Sequence, residues 1–117
     1  MQWLIHGNVS EEIAAALTTR GDVIHRAEAS AAEEFLEIAH KNQWDLITTD
    51  TAMIHLALSG TVKFKRSIVH LQASQEAAID RLFERFKRLT PLRLYTVTNA
   101  RVKVRQLPIR ITKKETI

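Results

Sequence analysis

Short apolar runs alternate along this chain with stretches whose apolar residues recur every three to four positions, and the alternation predicts strands and helices in turn. Gln2–His6 followed by Gly7-Asn8 reads as a strand and a turn. Ser10 then has the chemistry of an N-cap. Glu11 and Glu12 complement the helix dipole, and Ile13, Ala14 and Leu17 supply an apolar face before Arg20-Gly21 closes the helix. Asp22–Arg26 is a second short strand. Ser30-Ala31-Ala32-Glu33 has the capping-box pattern and opens a helix with Phe35, Ile38 and Ala39 at helical spacing. The run Trp44–Asp50 ends in two hydroxyls and an acid and predicts a buried strand. Thr51–Leu58 is helical in composition and stops at Ser59-Gly60. After the basic loop Lys63–Arg66, Ser67–Leu71 is a fourth strand. Ser74 is placed to cap a long helix whose stripe is Ile79, Leu82, Phe83, Phe86 and Leu89, ended by Thr90-Pro91. Leu92–Thr98 and Arg101–Leu107 alternate as strands. Asn99-Ala100 between them suits a two-residue hairpin, because Asn tolerates positive φ.

This order predicts an α/β fold of three layers, a mostly parallel central sheet with helices on both faces and a C-terminal β-hairpin. One domain spans 1–108, and 109–117 is a basic tail. Ligands of open α/β sheets bind outside the carboxyl ends of the strands, so Thr48, Thr49 and Asp50 are expected at a mouth. The absence of cysteine removes disulfides, thiolate metal sites and a thiol nucleophile together. With no apolar run near the roughly twenty residues a bilayer needs, and no leader-like amino terminus, the expectation is a cytoplasmic protein with no membrane partner. The three glycines, Gly7, Gly21 and Gly60, are too far apart to cradle a phosphate.

Charge changes the picture more than composition does. Residues 1–60 carry nine acids and three bases, net −6, whereas residues 61–117 carry four acids and fourteen bases, net +10. A basic half suits a nucleic-acid backbone or an acidic partner. Two opposed halves also suit a homodimer. The fold could equally intermix them in space. Arg101, Lys103 and Arg105 alternate with Val102 and Val104, which predicts a cationic stripe on one strand face. Such a stripe tracks phosphates, or is simply the solvent face of an edge strand.

Four segments carry a family resemblance: His6-Gly7-Asn8-Val9, Ala32-Glu33-Glu34-Phe35-Leu36, Thr48-Thr49-Asp50-Thr51-Ala52-Met53 and Val102-Lys103-Val104-Arg105-Gln106-Leu107-Pro108. Over 1–108 the chain resembles the small PIN-like proteins related to VapC-type toxins, nucleases of bacterial toxin–antitoxin loci. The resemblance implies a metal-dependent endoribonuclease in which clustered carboxylates hold Mg²⁺ or Mn²⁺, with RNA as substrate and an antitoxin-like protein as partner. Carried over residue by residue, the family's first-strand acid is His6 here, its helix acid is Ala32 and the second acid of its strand-end motif is Ala52. Asp50 alone stays in place as metal ligand and catalytic residue. Glu33 is the nearest replacement as a second catalytic carboxylate, while His6, Asn8, Thr48 and Thr49 complete the expected pocket. The resulting expectation is a domain of ribonuclease ancestry whose catalysis is weak or lost and which binds RNA or protein. An active toxin and a self-associating regulatory module stand as alternatives. Asp50 also fits plain N-capping of the following helix, which needs no metal.

Overall fold

The computed structural model describes residues 1–28, 31–72 and 77–109. Its elements are β1 (Gln2–His6), α1 (Glu11–Thr19), β2 (Val23–His25), α2 (Ala32–Asn42), β3 (Asp45–Thr48), α3 (Thr51–Ser59), β4 (Ile68–Leu71), α4 (Ala77–Arg85), β5 (Arg93–Val97) and β6 (Val102–Gln106). They form one six-stranded sheet in the order β2-β1-β3-β4-β5-β6, parallel throughout except for the antiparallel pair β5-β6. The expected α/β architecture is present.

Strand periodicity sorts the side chains into two cores. On one face, Ile13 and Leu17 of α1 and Ile79 and Leu82 of α4 pack with Trp3, Ile5, Ile47, Val69, Tyr95 and Val97. On the other, Leu36 and Ala39 of α2 and Met53, Ile54 and Ala57 of α3 pack with Leu4, Leu46, Ile68 and Leu94. All four residues of β3 are buried, as the centre of a parallel sheet covered on both faces requires. Two buried acids tie down the amino ends of the strands. Asp22 accepts from Trp3 Nε1 at 3.0 Å, and Asp45 accepts from the Ser67 amide and hydroxyl at 3.1 and 2.9 Å.

Several boundaries differ from the sequence pattern. The N-cap of α2 is Ala31, with no side-chain cap bond, so the helix starts one residue later than a Ser30 cap would place it; Ser30 itself lies outside the described residues, as does Ser74. Helix α4 stops at Arg85, ahead of Thr90-Pro91. Beyond it Phe86 sets its ring edge-on to Tyr95, and the Thr90 amide donates to the Tyr95 hydroxyl at 2.8 Å, so tertiary contacts turn the chain back toward β5. The regular ladder ends at Val97 and Val102, and the Thr98 amide still donates to the Arg101 carbonyl at 2.9 Å, so Asn99-Ala100 stand at the tip as predicted. The positive-φ residues other than glycine among the described residues are Gln43 and Leu92, not Asn99. Thr98 shapes this turn instead: its hydroxyl accepts from the amides of Ala100 and Arg101 at 3.2 and 3.1 Å. Of the predicted tail, only Ile109 is described.

The strand order also decides the charge question. β2, β1 and β3 come from the acidic half of the chain and β4, β5 and β6 from the basic half, so the two lie side by side across the sheet. No helix among the described residues is long and apolar enough to cross a membrane.

Candidate functional site at the carboxyl edge of the sheet

From β1 the chain crosses one face through α1 to β2, then returns over the other face through α2 to β3. The crossovers therefore part above β1 and β3, which is where open sheets of this order take ligands. The register brings one residue from each neighbouring strand into line there. His6 is partnered by Thr48, Thr48 by His70, His70 by Thr96 and Thr96 by Lys103. Register partners share a face, so this polar row lies on the α2/α3 side, directly beyond the apolar row Leu4, Leu46, Ile68 and Leu94.

Thr48 is the hub of the row. Its fully buried hydroxyl lies 2.8 Å from His6 Nδ1 and accepts from the Asp50 amide at 3.0 Å. The Asp50 carboxylate accepts in turn from the Ala52 amide at 2.9 Å and caps α3. His6 meets the ring of Phe35 edge-on, with centroids 4.6 Å apart. Burial lowers the pKa of His6 and of His70, and the Asp50 charge opposes both shifts. Burial is the larger cause in each case, so both rings favour the neutral form beside a carboxylate.

A second subsite opens on the α1/α4 side of the same edge. Gly7, at φ 77°, lets the β1 turn pass Thr49 so closely that a Cβ there would stand 2.8 Å from Thr49 Oγ1. That hydroxyl accepts from the Asn8 amide at 2.9 Å. Asn8 and Thr49 thereby join Val9, Ser10, Ile13, Leu71, Gln72 and Asn99 around a cleft of 320 Å³ that no ionisable side chain lines among the described residues. Its two hydroxyls are engaged, because Ser10 Oγ accepts from the Ile13 amide to cap α1.

No known protein family, curated protein or solved structure matches the chain.

The pocket residues singled out in the sequence are thus brought together at one edge but divided between its faces, His6 and Thr48 on one side and Asn8 and Thr49 on the other. Glu33 is exposed on α2 and lines a groove with Glu37, His40, Lys41, Thr61, Val62 and Lys63. Among the described residues, no three His, Cys, Asp or Glu side chains are grouped so as to hold a metal ion together. The cationic stripe is split. Lys103 and Arg105 share the face of their partners Thr96 and Leu94, while Arg101 precedes β6 and lines a groove of 410 Å³ with Arg81 and Arg85 of α4.

His70, Gln72 and Asn99 belong to these subsites, and the sequence pattern assigns none of them a site role, Asn99 being read there as a turn residue. A signal for His70 existed: a polar residue at the carboxyl end of a strand core, in the position that Thr48 occupies in β3. Gln72 and Asn99 follow strands from far along the chain, and only the sheet order reveals that they meet.

Proposed function

We propose that the chain is a PIN-like α/β domain of ribonuclease descent that binds single-stranded RNA and cleaves it weakly or not at all. The observation that carries this reading is the state of Asp50. Among the described residues it is the carboxylate whose charge acts on His6 and His70, it already serves as the cap of α3, and burial biases both of those histidines toward the neutral form. Mg²⁺ takes oxygen ligands and is usually held by one or two carboxylates plus waters and substrate phosphates. Imidazole suits softer ions. With one carboxylate that is already engaged as a helix cap, and imidazoles as its neighbours, this edge stands at the lower limit of what holds Mg²⁺ or Mn²⁺ and favours weak binding at most. RNA binding is supported by the basic half of the sheet, where Arg81, Arg85, Arg101, Lys103 and Arg105 lie on β6 or beside it. A backbone held by such cations releases counterions, so affinity falls steeply with salt.

The competing reading, a working Mg²⁺- or Mn²⁺-dependent endoribonuclease, is separated by titrating either ion while following the Asp50 carboxylate by NMR and RNA cleavage in parallel. The expected outcome is salt-sensitive RNA binding without saturable metal binding. Saturation at millimolar metal or below, abolished together with cleavage in Asp50→Ala, would overturn the loss of catalysis.

A further inference from the structure

The neutral cleft and the arginine groove share a wall. Asn99 lines the first, and the next residues, Ala100 and Arg101, line the second, so the β5–β6 turn is the ridge between them. The two sides of that ridge have complementary chemistry.

In the cleft, the carboxamides of Asn8, Gln72 and Asn99 stand over an apolar floor of Val9, Ile13 and Leu71. None of the three carboxamides has a hydrogen-bond partner among the described residues, although the neighbouring hydroxyls are both used. Each carboxamide offers a donor pair and an acceptor. A cluster of them without charge matches the edge of a flat, neutral, polar heterocycle, and Asn and Gln read nucleobase edges in this way. A phosphate gains little there, because no cation lines the cleft among the described residues.

In the groove, Arg81 donates from Nη1 to the Thr98 carbonyl at 2.8 Å and Arg85 donates from Nη1 to the Val102 carbonyl at 2.9 Å. These bonds fix both guanidinium groups against the hairpin and leave each with further donors. Fixed guanidinium forks suit phosphate oxygens. With Arg101 the groove holds three cations against one acid, Glu84.

We infer that single-stranded RNA crosses the β5–β6 turn, with one unpaired base in the Asn8/Gln72/Asn99 cleft and the adjoining phosphates on Arg81, Arg85 and Arg101. This rests on the RNA-binding reading above and adds to it a recognition site that lies on the face opposite His6 and Asp50. The protein therefore reads a base where it has no means of cutting the strand.

The test uses the full chain and fluorescein-labelled hexanucleotides of A, C and U, beside an abasic ribose-phosphate hexamer, with binding read by anisotropy over a salt series. At least one RNA is expected to bind about tenfold tighter than the abasic strand. Gln72→Ala/Asn99→Ala should remove that preference and leave the salt slope unchanged, since neither carboxamide has a hydrogen-bond partner among the described residues. Arg81→Gln/Arg101→Gln should weaken every strand alike and flatten the slope; Arg101→Gln alone, which spares the Arg81 bond to Thr98, should flatten it in part. Equal affinity for RNA and abasic strands, or a base preference that survives loss of the carboxamides, would overturn the cleft while leaving RNA binding intact. Failure of every strand to bind would overturn RNA binding and the cleft with it.

Discussion

His6 Nδ1 lies 2.8 Å from the hydroxyl of Thr48, and the same oxygen accepts from the Asp50 amide at 3.0 Å. One buried atom therefore joins the end of β1, the end of β3 and the entry to α3. Thr48→Val keeps the shape and β propensity of the side chain but deletes that oxygen. The Asp50 amide and the His6 ring lose their shared partner; both residues are half-buried, so the cost falls toward the lower end of the about 1–3 kcal/mol of an unsatisfied buried group. Urea unfolding should show a lower midpoint with an unchanged slope, and Thr48→Ser should recover most of the loss. An undiminished midpoint in Thr48→Val would show that the oxygen contributes nothing to this junction.

The two edge histidines give stability a pH dependence of definite sign. Burial lowers the pKa of His6 and His70 in the folded state, and it lowers that of His40 with the help of Lys63 and Lys65. Below the ordinary histidine pKa of about 6.5, the unfolded chain takes up protons that the folded chain resists. Stability is therefore full above that pH and declines as pH falls toward the folded values. Unfolding free energy measured from pH 8 to 5 should decline in that direction. Asp50 opposes the shifts of His6 and His70, so Asp50→Asn should move both imidazole titrations still lower by NMR. Titrations at or above the ordinary value would contradict this account.

Asp50 itself can be divided into its structural and chemical parts. Its carboxylate accepts the Ala52 amide at 2.9 Å. Asp50→Ala removes the cap, at a typical cost of about 1 kcal/mol, whereas Asn is as good a cap as Asp. Thermal unfolding should therefore separate Asp50→Ala from wild type and leave Asp50→Asn near it. Equal destabilisation by both changes would assign the stability to the charge rather than to the cap.

Fold class was legible in the sequence because patterning carries it. Leu46 and Ile47 mark a strand buried on both faces, Ser10 and Asp50 cap the helices they precede, and Gly60 closes α3 with positive φ. What failed was local chemistry overridden by tertiary contacts. Phe86 and Leu89 continue the apolar stripe of α4, yet they pack from beyond its end, and Thr98 rather than Asn99 organises the hairpin turn. The edge itself was half legible. His6, Asn8, Thr48 and Thr49 stand at or just beyond the carboxyl ends of the neighbouring strands β1 and β3, so a strand-end rule finds them. The pairing of Thr48 with His70, and the meeting of Gln72 with Asn99, depend on sheet order and register, which no local pattern encodes.

The family resemblance makes a constructive prediction at the same edge. His6 ends β1 within the field of Asp50, and Ala52 is exposed in the first turn of α3, two residues beyond the cap. These are the positions at which the resemblance expects acids. A carboxylate at position 52 lies near a helix amino terminus, where the dipole favours negative charge, and one at position 6 stays within reach of the Thr48 hydroxyl. The variant His6→Asp/Ala52→Asp should therefore fold and place two new carboxylates beside Asp50. Saturable Mn²⁺ binding, followed by electron paramagnetic resonance of the free ion, is expected in this variant and not in wild type. Adding Asp50→Asn should weaken it by removing one of the ligands. If the double variant folds and still ignores Mn²⁺, the edge lacks the geometry of a carboxylate metal site, and the proposal of nuclease descent is overturned.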